Sequence, residues 1–145
     1  MPKIRILELL KFEGFFTFRP SLNKHVYFVP VWDEPYRSNI KKGDECFIID
    51  RTLDTPGIIA HGSIDSNVYR YQLPKSYYAA DQVLLTDCLR INPDKYRLLS
   101  TDYLQTAMPE IGWGPHLSGW EVTGPYVKKL RRIWKEYLEM NDYFI

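Results

Sequence analysis

The strongest constraint in this sequence is an apolar stripe near its end. Val127, Leu130, Ile133, Trp134, Tyr137 and Leu138 recur at three- and four-residue spacing. That period places them on one face of an α-helix, and such a face must be covered by another layer of structure. Thr123 is the expected N-cap, with Pro125 in the first turn, where its missing N–H costs nothing. The remaining faces carry Lys128, Lys129, Arg131, Arg132 and Lys135 against a single acid, Glu136. A solvated face and a phosphate-binding face both read this way.

The covering layer has to come from upstream, and there the pattern changes to strands. Glu45 to Asp50 (ECFIID) reads as a buried strand after the tight turn Lys41-Lys42-Gly43-Asp44. A loop from Arg51 to Pro56 leads into a second strand, Gly57 to Ile64 (GIIAHGSI). Its two glycines mark a bulge or the close approach of another backbone or ligand. Val83 to Ile91 is a further strand, expected to set Leu85, Asp87 and Leu89 on one face. His25 to Trp32 is strand-like through Val29, with Pro30 marking an edge or bend, and Phe15 to Phe18 forms a strand after Gly14. Lys3 to Lys11 is apolar enough for a buried strand or a short helix, and periodicity does not choose between them. Ser100-Thr101-Asp102 caps a short helix running through Met108. The sum is one α+β domain over residues 1–145: a small mixed sheet curled toward a partly open barrel, with flanking helices.

Composition narrows the function. A formal net charge of +1 demands no polyanionic partner, so a nucleic-acid binder of this kind must concentrate its cations on one face. Eleven Tyr, seven Phe and four Trp in 145 residues exceed what a core of this size needs, which leaves rings for a recognition surface. Cys46 and Cys88 fall inside strands, with no metal-ligand spacing around them, and read as buried free thiols of a reducing compartment. Neither a signal peptide nor an apolar run of membrane length is visible, and a cytoplasmic location is expected. Nucleophile elbows, P-loops, zinc-protease and dinucleotide motifs are absent, and His25, His61 and His116 are scattered, so no catalytic residue, cofactor or metal site is expected.

Three stretches taken in order carry a resemblance. Ile40 to Ile49 (IKKGDECFII) is followed by Pro56 to Ile64 (PGIIAHGSI), with Trp32 just upstream and Trp113 to Val122 (WGPHLSGWEV) leading into the last helix. This series resembles the EVE domains of the PUA-like group, which also holds the YTH and ASCH domains. The resemblance spans roughly residues 25–138. The chain departs from the pattern at Trp120, where relatives often carry a smaller or polar residue, and at Asp50-Arg51, in place of a more usual neutral turn.

The resemblance implies a partly open PUA-like barrel whose mouth accepts one flipped-out base: a methylated or hydroxymethylated cytosine, or a methylated adenine. Trp32, Trp113 and Trp120 are the candidates to stack on or enclose that base, since stacking is worth roughly 1–3 kcal/mol. Tyr36 is a candidate wall, and Ser38, Ser118 and His61 are candidate readers of the base edge. The Lys41–Asp44 and Ser118–Gly119 turns would shape the rim. Arg37, Lys41, Lys42, Lys128, Arg131 and Arg132 are the candidates for the phosphate backbone. The expected partner is nucleic acid, DNA ahead of RNA, and not a membrane. Such modules serve modification-dependent restriction systems beside a fused or associated nuclease or motor, and the apolar ending Asn141 to Ile145 is what a domain cut from a longer protein would show. Two other classes fit the same residues: an ASCH-type RNA-processing enzyme, and a protein-interaction module using exposed aromatics.

Overall fold

The computed structural model describes residues 3–9, 19–20, 27–30, 40–66, 69–72, 79–113 and 120–141. Nine strands and two helices are placed in them: β1 (Ile4–Leu9), β2 (Arg19–Pro20), β3 (Tyr27–Pro30), β4 (Glu45–Asp50), β5 (Gly57–Ile64), β6 (Tyr69–Gln72), β7 (Ala79–Arg90), β8 (Leu99–Ser100), α1 (Thr101–Ala107), β9 (Trp120–Val122) and α2 (Tyr126–Met140). The strands join in one sheet in the order β2-β3-β7-β5-β4-β1-β9, with β6 also on β7 and β8 also on β5. Pairing is antiparallel except between β1 and β4. The path does not close on itself among the described residues. The fold is α+β, built on an open mixed sheet.

The ambiguous opening segment is a strand. Its parallel register with β4, Ile4 opposite Glu45 through Leu9 opposite Asp50, explains why it buries apolar residues on both faces and its Arg5 and Glu8 as well. A parallel pair has to be covered on both faces. Ile4 and Ile6 join Phe47, Ile49 and Ile58 in a core closed by Leu130, Ile133, Trp134 and Tyr137 of α2. Leu7 faces the other way, into a second core with Cys46, Ile48, Ile64, Val83, Leu85 and Cys88. Both cysteines are free and buried; burial pushes Cys88 up to about 12 and Cys46 well above the ordinary thiol value.

The sequence expectations for β4 and β5 match the observed bounds, and Ser100 caps α1 by accepting a hydrogen bond from the Tyr103 amide. Three expectations are corrected. Helix α2 begins later than expected: Thr123 is exposed, and Pro125 occupies the N-cap without a side-chain cap. Gly124, at φ +63, turns the chain, and the proline ring then presets the helical φ. Strand β3 runs one residue beyond Val29, through Pro30, which still pairs with Gln82. Leu85, Asp87 and Leu89 do not share a face. Asp87 sits at φ +52 in a bulge where β7 carries an extra residue against β5. One extra residue inverts the alternation, so Leu85 and Cys88 both enter the second core while Leu89 packs on the first. The expected strand Phe15–Phe18 lies outside the described residues. Among the described residues, no helix is long and apolar enough to cross a membrane.

Candidate nucleic-acid interface

At the C-terminal end of β1, residues from distant parts of the chain meet in a buried polar node. Glu8 is 0% exposed, in a strand whose one other charged residue, Arg5, is buried as well. Its Oε1 accepts a hydrogen bond from Arg51 Nε, and its Oε2 accepts one from Trp120 Nε1 at 2.8 Å. Arg51 Nη2 in turn donates to the Trp113 carbonyl at 3.0 Å, and the Trp113 amide donates to Gln105 Oε1 at 2.8 Å. A buried carboxylate persists only when paired, and here the guanidinium and the indole N–H supply the partners. Arg51 and Trp120, far apart in sequence, are therefore one feature, joined through Glu8.

Trp113 and Trp120 stand together, with ring centroids 5.4 Å apart in an edge-to-face contact. Both rings are expected to stack on or enclose a base; in the structure neither presents an open face. They are 1% and 7% exposed and belong to the core under the helices. Apolar ring area on this scale goes to the interior unless something else covers it. The Trp113 indole N–H is buried and has no acceptor among the described residues, which is unusual for a group whose desolvation costs about 1–3 kcal/mol.

The Lys41–Asp44 turn, expected on the same rim, sits elsewhere. It precedes Glu45, which pairs with Ile4, whereas Arg51 follows Asp50, which pairs with Leu9. The length of β4, about 16 Å, separates the turn from the node. The turn is held by Asp44, whose two carboxylate oxygens accept hydrogen bonds from the Lys3 and Lys41 amides at 3.2 and 3.1 Å, with Gly43 at φ +99. His61 lies between these two regions. It is half-buried beneath α2, 4.5 Å from the Phe47 ring, and its Nε2 is 2.7 Å from Glu45 Oε2. Glu45 Oε1 also accepts bonds from Arg131 at 2.8 and 2.7 Å. Burial acts to raise the Glu45 pKa, but the hydrogen bonds from His61 and Arg131 outweigh it and hold the carboxyl below its usual value.

The candidate cations divide. Arg131 is engaged by Glu45, Arg132 lies 4.0 Å from Glu136, and Lys42 lies 3.9 Å from Asp65. Lys41 and Lys128 are exposed and show no salt bridge among the described residues. Trp32, Tyr36, Arg37, Ser38 and Ser118 lie outside the described residues.

Sequence reasoning missed Glu8. Its signal was an acid among the apolar residues of Lys3 to Lys11, which has to be either functional or paired if that segment is buried. It also missed a cleft of about 640 Å³ between the 51–56 loop and residues 93–98, lined by Leu53, Thr55, Lys95, Tyr96 and Arg97 among others. The sequence signal there was a basic-aromatic-basic run directly after an Asn-Pro-Asp turn.

The class of protein these elements define is a small α+β domain with helices packed on one face of an open mixed sheet. No family model and no curated protein matches the chain. Several solved structures share the fold, the following two among them. A crystal structure of a Pseudomonas syringae protein superposes with a TM-score of 0.62 at 17% identity, covering 90% of this chain and 98% of that one. A hypothetical protein from Leishmania major superposes with a TM-score of 0.60 at 14% identity, covering 94% and 97%. The likeness is one of fold, and it extends over nearly the whole of each chain.

Proposed function

We propose that this chain is an EVE-type, PUA-like reader of a modified nucleic-acid base, without catalytic activity of its own. The observation that carries the reading is the Trp113 indole: a buried N–H donor with no acceptor among the described residues, beside a Glu8–Arg51–Trp120 node that fixes its surroundings. Reading a base takes a donor or acceptor held rigidly in a water-poor site, because the wrong base then leaves a buried group unpaired. Trp113 Nε1 is such a donor, and because its ring is buried, a base reaches it in this reading only by displacing what covers the ring. In this reading Trp120 is a wall of the site, set by Glu8, and Ser118 reads the base edge. Trp32, Tyr36 and Ser38 complete the aromatic face and polar edge. Of the cations expected on the strand backbone, Lys41, just before β4, and Lys128 of α2 are exposed and show no salt bridge among the described residues. The ordered series of EVE-like motifs supports the same reading.

The test is fluorescence-anisotropy binding to matched oligonucleotides: plain, or carrying 5-methylcytosine, 5-hydroxymethylcytosine or N6-methyladenine. Preference for one modified oligonucleotide is expected, and Trp113→Phe, which keeps an aromatic ring and removes the N–H, should abolish that preference. Equal weak binding to all of them, unaffected by salt, would overturn the reading.

A further inference from the structure

We infer that the cleft between the 51–56 loop and residues 93–98 is a second contact with nucleic acid, one that holds strand phosphates without reading bases. The inference rests on the reading that this chain binds nucleic acid, but not on base recognition at Trp113.

The cleft is a built feature. At its base, Gly57 pairs with Ser100 and Ile58 with Leu99, and the Thr101 amide donates to the Pro56 carbonyl at 3.0 Å, so the two walls are joined by backbone. One wall is stiffened by Asn92, whose carbonyl accepts from the Lys95 and Tyr96 amides and whose side chain accepts from the Asp94 amide at 2.9 Å. An Asx turn of this kind presets its loop. Arg97 is anchored through its carbonyl, which accepts the Tyr137 hydroxyl at 2.6 Å.

Two cations are presented on this frame. Lys95 Nζ lies 5.5 Å from the Tyr96 ring centroid, so a cation–π contact places its ammonium group at the cleft wall. Arg97 lies where this cleft meets a smaller, more apolar one of about 390 Å³ between α1 and α2. Neither Lys95 nor Arg97 has a carboxylate partner among the described residues, whereas Lys42, Arg131 and Arg132 do. The acid on the same wall, Asp94, leaves the pair of cations with a net charge of one. Two exposed cations on a braced backbone, in a cleft of ligand size, suit an anion that arrives from outside. The cleft is reached along the same loop that carries Arg51 to the Trp113 carbonyl.

The experiment uses the full chain, ¹⁵N-labelled, titrated with an unmodified ten-residue oligothymidylate and, separately, with thymidine monophosphate. Anisotropy against salt is measured for wild type and for the double variant Lys95→Gln, Arg97→Gln. Oligothymidylate should shift the amides of Leu53, Thr55 and residues 95–98. The double variant should weaken plain and modified strands alike, leave their ratio unchanged, and flatten the salt slope by about 0.7 for each phosphate it no longer neutralises. Lys95→Arg with Arg97→Lys, which keeps both charges, should restore binding. A preference for a modified strand with no shifts at the cleft and an unchanged slope would overturn the cleft and leave the reader standing. Cleft shifts without any base preference would do the reverse. No strand binding at any salt, or shifts with thymidine monophosphate alone, would overturn the inference.

Discussion

Trp120 Nε1 donates to Glu8 Oε2 at 2.8 Å, tying the last strand of the sheet to the first through a carboxylate that no solvent reaches. The other oxygen of that carboxylate takes Arg51, so a single buried anion organises β1, β9 and the 51–56 loop.

Removing this anion should be costly in proportion to what it leaves behind. Glu8→Leu removes the carboxylate that takes both Arg51 and Trp120 and should cost about 3–5 kcal/mol in urea unfolding, the usual cost of breaking one side of a buried pair. Glu8→Gln keeps an acceptor for Trp120 and should cost less. Equal, small effects for both variants would show that the node does not hold the fold together.

Gly57→Ala should destabilise the protein by about 1–3 kcal/mol, read as a lower urea midpoint with an unchanged m-value. A β-carbon at this position would lie 2.7 Å from the Leu99 carbonyl oxygen, and backbone of a paired strand cannot swing aside as a side chain can.

Asp87 is strained where it stands, at φ +52 in the β7 bulge. Asp87→Gly should stabilise by up to about 1 kcal/mol, since relief of left-handed strain exceeds the added freedom of the unfolded chain. Asp87→Val should destabilise, because a β-branched residue resists that conformation more than aspartate does. Thermal unfolding of both variants checks the sign in each direction.

Stability should fall on acidification, in part through Glu45. Its folded pKa lies below the ordinary 4.5, so the unfolded chain takes up the proton more readily. The stabilisation is complete above about 4.5 and is lost as pH falls through the lower folded value. Urea midpoints measured from pH 7 to pH 3 should therefore show wild type and Glu45→Gln converging toward the acid end. A constant difference would exclude the linkage.

Much of the fold was legible because it rests on local pattern. The bounds of β4 and β5, the Ser100 cap and the α2 stripe all follow from the periodicity and hydrogen-bonding habits of neighbouring residues. The bulge at Asp87 was not legible, because alternation along β7 looks regular until its pairing with β5 is known. The start of α2 was misplaced because Thr123 has the chemistry of a cap, yet the Gly124-Pro125 turn supplies the geometry.

The candidate site divides on the same line. By itself the sequence determined that a Gly-Asp turn opens β4 and that α2 buries one apolar face, with Trp134 on it. Only the tertiary structure decided that Trp113 and Trp120 face each other instead of solvent, and that the Lys41–Asp44 turn lies a strand's length from them. It also decided that Glu8, Arg51 and Trp120 form one unit. The reason is range: side-chain period and capping act over a few residues, whereas a buried charge is matched with its partners only once the sheet has brought distant segments together.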